Sequence, residues 1–143
     1  MSLKDSLQQA LDEARTSGEK RVEVHSDGVS AAVDLDEVDG IGVRVRGLRV
    51  TRGRDIPLGE LAQELPQRVR SLPDRVMPIE VDESLRGGVF RTPVDPVQSD
   101  FYQLDVRGRD TDVRRYVVEG DERTQADFTM TRDALGRLVD ELG

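Results

Sequence analysis

Five arginines, Arg44, Arg46, Arg49, Arg52 and Arg54, fall within eleven residues of an otherwise acidic chain. Guanidinium groups at that spacing can grip carboxylates or phosphates bidentately. They form a candidate binding stripe for an anionic ligand, an acidic protein segment or nucleic acid. A plainer reading neutralises them inside the fold. If Asp36 pairs across from Arg44 and Asp34 from Arg46, Leu35 faces Val45 and both faces of the strand pair stay consistent. Exposed ion pairs of that kind add little stability. The stripe also lacks aromatic platforms, because Phe90, Phe101, Tyr102, Tyr116 and Phe128 all lie in the second half. Proteins that hold single strands stack bases on such rings, so nucleic acid is not an expected partner.

Other reactive residue types do not form working sets. The acidic run from Asp34 to Gly40 has the look of a calcium loop, but counting from Asp34 puts Val38 at position five, Asp39 at six and Val45 at twelve. A calcium loop needs an oxygen ligand, a glycine and a glutamate there. An aspartate-rich hairpin turn fits better. Gly40-Ile41-Gly42 has no third glycine and no following helix, so it is no dinucleotide fingerprint. The only histidine, His25, ends a strand beside Ser26-Asp27-Gly28, with no nucleophile and orienting group placed for it. No cysteine is present, which excludes disulfides, thiolate metal sites and cysteine nucleophiles. The expectation is no catalytic residue, no metal, no cofactor and no enzyme activity.

The whole chain sets further bounds. With 143 residues it has the length of one α+β domain, and two similar halves, 1–75 and 76–143, form an alternative division. Duplication is hinted at by Arg52-Gly53-Arg54-Asp55 recurring as Arg107-Gly108-Arg109-Asp110, each after a strand. Twenty-nine acids against 21 bases leave a net charge of −8, which opposes general attraction to nucleic acid or anionic membranes. Only Lys4 and Lys20 are lysines, and the arginine bias reads as a GC-rich bacterial genome. No apolar run reaches the ~18 residues of a membrane span, so no membrane partner and a cytoplasmic location are expected.

Hydrophobic spacing then supplies the elements. Leu3, Leu7, Ala10, Leu11 and Ala14 make one helical stripe, capped by Ser2 with Asp5 and stopped at Gly18. Three alternating runs follow: Val22 and Val24, then Val29 to Leu35, then Ile41 to Val50, with turns at Asp27-Gly28 and Asp39-Gly40. In the third run the apolar parity jumps at Gly47, which predicts a β-bulge. Asp55 is a candidate cap for a helix from Leu58 to Leu72, kinked or divided at Pro66. Two short strands around Ile79 to Val81 and Val89 to Arg91 precede a proline loop over 92–99.

A meander of Tyr102 to Val106, Arg114 to Val118 and Ala126 to Met130 closes the chain with a helix capped by Thr131. Aligning its apolar residues puts Leu104, Tyr116 and Phe128 in one core row, with Asp105 opposite Arg115 on the wet face. The expected architecture is antiparallel meander sheet with helices on one face, in the order α-βββ-α-ββ-βββ-α. In element order and size an acidic chain of this kind is similar to the secretion chaperones of bacterial type III systems. The added strands between Val89 and Met130 are a departure from them. The resemblance implies a protein that dimerises and wraps extended client segments. The leading functional expectation is therefore a non-enzymatic protein-binding or chaperone-like module, a homodimer or bound to a protein partner. Anion or nucleic-acid binding through the arginine stripe is the alternative.

Overall fold

Turn chemistry and alternation produce two meanders, which fuse into one sheet. The computed structural model describes residues 2–143. Helix α1 (Leu3–Ser17) leads into strands β1 (Arg21–Ser26), β2 (Val29–Val38) and β3 (Gly42–Thr51). Helix α2 (Leu58–Arg68) connects them to β4 (Met77–Asp82), β5 (Gly87–Arg91), β6 (Asp100–Arg107) and β7 (Asp110–Glu119). Two short strands, β8 (Glu122–Ala126) and β9 (Phe128–Thr131), then run into α3 (Arg132–Leu142). All pairings are antiparallel and the order is β1-β2-β3-β7-β6-β5-β4. The expected α+β meander with its element order is what the chain forms, β8 and β9 being two arms of the expected last strand.

The helices start where their caps put them. Ser2 Oγ accepts from Asp5 N at 3.0 Å, and Thr131 Oγ1 accepts from Ala134 N at 3.0 Å. Gly18 ends α1 in the left-handed region, which glycine enters without steric cost. Helix α2 corrects the expectation. Its N-cap is Pro57 with no side-chain cap bond, because Asp55 turns outward to pair with Arg86. Pro66 sits in the last turn, so there is one helix with no second segment, and Val69 is already extended. A proline two residues from the end needs no kink, since the chain leaves the helix there anyway.

One apolar cluster joins both halves. Leu7 and Leu11 of α1, Leu61 and Leu65 of α2, and Leu135 and Leu138 of α3 pack with Val33, Val45, Val50, Phe90, Leu104, Val113 and Phe128 of the sheet. The opposite sheet face carries charge along β2 and β3, as alternation requires.

The bulge expected at Gly47 is present: β2–β3 pairing jumps between Asp34↔Gly47 and Leu35↔Val45, so Arg46 is the extra residue. Its position has a second role. Leu48 to Thr51 pair with β7, whereas Gly42 to Val45 pair with β9. Strand β3 therefore changes partner at its bulge, and β7 does the same between Val113 and Arg115. The sheet forks there. Strand β8 runs toward the fork along β7, the chain turns at Asp127, and β9 runs away from it along β3.

The register expected for the second meander is corrected. Leu104 lies opposite Val113, and Phe101 opposite Tyr116, three residues from the apolar alignment. A shift of three reverses the faces, so Tyr116 is on the outer side, half-buried against Phe101 with ring centroids 5.5 Å apart. The cause is the tight turn at Gly108-Arg109, which makes Arg107↔Asp110 the first pair and sets every later one. Asp105 faces Asp112 and meets Arg114 at 3.5 Å, while Arg115 pairs with Asp100 at 2.6 Å. Phe128 is in the core as expected, edge-on to Tyr102 at 5.4 Å.

Candidate functional site

The structure divides the five stripe arginines into two groups. Arg44, Arg46 and Arg49 stand on the exposed sheet face, as alternation across the bulge predicts. Asp36 serves two of them, with contacts of 3.5 Å to Arg44 and 3.1 Å to Arg46. Asp34 pairs with Arg21 at 2.7 Å, so the expected Asp34–Arg46 pair is replaced. Asp36 is the looped-out residue between Leu35 and Glu37 in β2, which lets one carboxylate reach both guanidinium groups. Those hydrogen bonds, Arg46 first, hold its carboxyl below the usual aspartate range. Arg49 is gripped by Asp112 through two bonds of 2.7 and 3.1 Å, which raises the guanidinium's already high value. On this face each of the three arginines has a carboxylate.

Arg52 and Arg54 belong elsewhere. Arg52 is the residue after β3 and turns to the inner side, with 1% of its surface exposed. Its Nη1 donates to Thr111 Oγ1 at 2.9 Å and its Nη2 to the Gly108 carbonyl at 2.6 Å. Among the described residues its Nε has no hydrogen-bond partner, and no carboxylate is in ion-pair contact with the group. Burial lowers the affinity of this guanidinium for its proton, Arg68 adds to the effect, and Asp55 and Asp110 oppose it. Arg54 is exposed and makes no ion pair among the described residues.

Both arginines line a cavity of about 800 Å3 between the β1–β2 turn, the β3–α2 connection and the end of α2. Arg68 and Gln67 line it from the helix. The two loops meet glycine to glycine: a Cβ on Gly53 would stand 3.2 Å from the Gly28 carbonyl oxygen. Sequence reading missed Arg68, which lies fourteen residues from Arg54 and reaches the cavity only because α2 folds back over the sheet.

A second feature lies at the sheet's far edge. Strand β4 pairs with β5 alone, so its other side carries unpaired backbone groups. Along it Met77, Ile79 and Val81 are 46%, 57% and 38% exposed, and Leu85 in the following turn is 75% exposed. The opposite edge differs. Strand β1 buries Val22 and exposes Arg21, Glu23 and His25, and each edge strand has a helix against it, α1 on β1 and α2 on β4. Charged side chains on an edge discourage further strand pairing, so β1 is guarded. Strand β4 has only partial guards: Pro78, a register irregularity at Ile79, and the acids Glu80 and Asp82. The sequence marked Ile79 and Val81 as a strand; that the strand ends the sheet was not visible in it.

Among the described residues no helix is long and apolar enough to cross a membrane. Comparison of the chain with protein-family models and curated proteins, and of its fold with solved structures, finds no match.

Proposed function

We propose that the protein is a non-enzymatic protein-binding module that takes an extended segment of a partner protein as an added strand beside β4. The carrying observation is the unpaired β4 edge with Met77, Ile79 and Val81 exposed on it, in a sheet whose other edge strand exposes Arg21, Glu23 and His25 instead. Strand addition draws affinity from backbone hydrogen bonds and selectivity from alternate side chains. Charge selects the occupant. Glu80 and Glu83 make no ion pair among the described residues, and the chain carries a net charge of −8. An incoming strand of alternating apolar and basic residues is complementary to that edge. A second copy would bring Glu80 and Asp82 against their own kind, which costs affinity.

A fluorescent peptide of eight alternating valines and lysines, compared with one carrying N-methylated backbone at alternate positions, tests this. The expected result is saturable binding of the first peptide and none of the second. Substituting Ile79→Glu and Val81→Glu, both at exposed positions, should weaken binding at least about tenfold without loss of folding. Equal binding of both peptides, or none, removes strand addition as the mode. A solution mass of twice 16.0 kDa that Ile79→Glu abolishes would assign the edge to a second copy instead.

A further inference from the structure

The cavity beside Arg52 is a different surface from the β4 edge, and its chemistry is specific. Among the described residues no carboxylate is in ion-pair contact with the buried Arg52, Asp55 and Asp110 acting on it only from farther away, and its Nε bonds to nothing. A buried charge in that condition is costly unless something of opposite sign completes it. Arg54 stands at the mouth without an ion pair, and Arg68 has only a loose contact of 3.8 Å to Glu64, one turn back on α2. Gly28 and Gly53, packed against each other, both line the wall.

We propose that this cavity is a binding site for a small molecule carrying an oxyanion, a phosphate or a carboxylate, held by Arg54 and Arg68 over the buried charge of Arg52. Guanidinium forks match both groups in geometry. A volume of about 800 Å3 suits a small organic ligand and exceeds what a bare ion needs. The mouth is not uniformly basic, because Asp27 and Glu64 also border it. The anionic group therefore seats toward Arg52 and Arg54, and the remainder of the ligand lies near the two acids. Binding stabilises the protein by placing a negative charge near Arg52, at the cost only of the loose Glu64 contact on Arg68.

The test is titration of the full chain with inorganic phosphate and, separately, with succinate, at constant ionic strength, following backbone amide resonances by NMR. The expected result is saturable shifts of Gly28, Gly53 and Arg54 with at least one of the two probes, which also distinguishes phosphate from carboxylate chemistry. Arg54→Gln and Arg68→Gln each weaken that binding about tenfold or more, whereas Arg44→Gln leaves it unchanged. These variants keep the buried Arg52, whose own replacement risks the fold. Linear, unsaturated shifts with both probes overturn the proposal. So does binding that Arg44→Gln weakens as much as Arg54→Gln, since that would be general surface attraction. Neither result bears on the β4 edge, whose peptide assay reads different residues.

Discussion

Individual carboxylates tie this fold together at its turns. Asp39 Oδ1 accepts from Gly42 N at 2.6 Å and Ile41 N at 2.8 Å, closing the β2–β3 hairpin. Asp95 does the same for Gln98 N at 2.9 Å and Val97 N at 2.8 Å in the proline loop. Backbone donors favour the ionised form, so both carboxyls are held below the usual aspartate range, Asp39 mainly by Gly42 and Asp95 mainly by Gln98. Asp133 is lowered likewise, first by its bond to Lys4. The sign follows from linkage. In the unfolded chain these groups take up protons near pH ~4, but in the native protein only at lower pH. The stability they contribute is complete above about pH 4 and is lost as pH falls through their native values. Urea unfolding followed from about pH 5 down to pH 2 should show a falling midpoint, with a shallower fall in Asp39→Asn/Asp95→Asn. An unchanged slope in that variant would mean the two turns carry none of the acid sensitivity. Residue types alone placed a turn at Asp39-Gly40 and a proline loop over 92–99, because an aspartate or proline that shapes a turn acts on backbone only a few residues away. They could not show Arg52 buried, because its neighbours Thr111 and Gly108 are more than fifty residues distant.

Among the elements, the fork is where the fold is most exposed to a single change. Arg115 donates from Nε to Asp100 Oδ2 at 2.6 Å and from Nη1 to the Asp127 carbonyl at 3.0 Å. It joins the start of β6, the middle of β7 and the corner between β8 and β9. The Asp100 side chain is only 10% exposed, so removing its partner strands a largely buried charge. Arg115→Met should cost about 3 kcal/mol. Arg114→Met, one residue along and paired only across the outer face, should stay within about 0.5 kcal/mol. Chemical denaturation of the two variants checks the contrast, and equal effects would show that Arg115 does not hold the fork. The same region marks the limit of pattern reading. Alternation in β6, β7 and the last strand was plain, yet aligning Leu104, Tyr116 and Phe128 put Tyr116 on the wrong face. A half-exposed tyrosine covered by Arg123, 4.8 Å above its ring, has the same signature in sequence as a core tyrosine.

Across the whole molecule, β3 and β7 carry the connection between the two meanders. Arg49 and Asp112, bonded across that seam, are 63 residues apart in sequence. Strands flanked on both sides and covered by helices open last, and edges open first. Hydrogen exchange should therefore find the Leu48 to Val50 and Val113 amides exchanging only through global unfolding. Amides on the open side of β4 should exchange at least about a hundredfold faster. Comparable protection along β4 in the free protein would indicate that its edge is already paired in solution.

Local information was sufficient for much of this architecture. Caps at Ser2 and Thr131, the Gly47 bulge, the hairpin turns and the element order all depend on neighbours within a few residues, where side-chain chemistry and backbone geometry act directly. Tertiary structure alone decided the rest: which strands end the sheet, where it forks, which face Tyr116 takes, and that the arginine run splits between an ion-paired surface and an uncompensated cavity. Those outcomes come from contacts between distant segments, and the periodicity of one strand is the same whether its partner is β7, β9 or none.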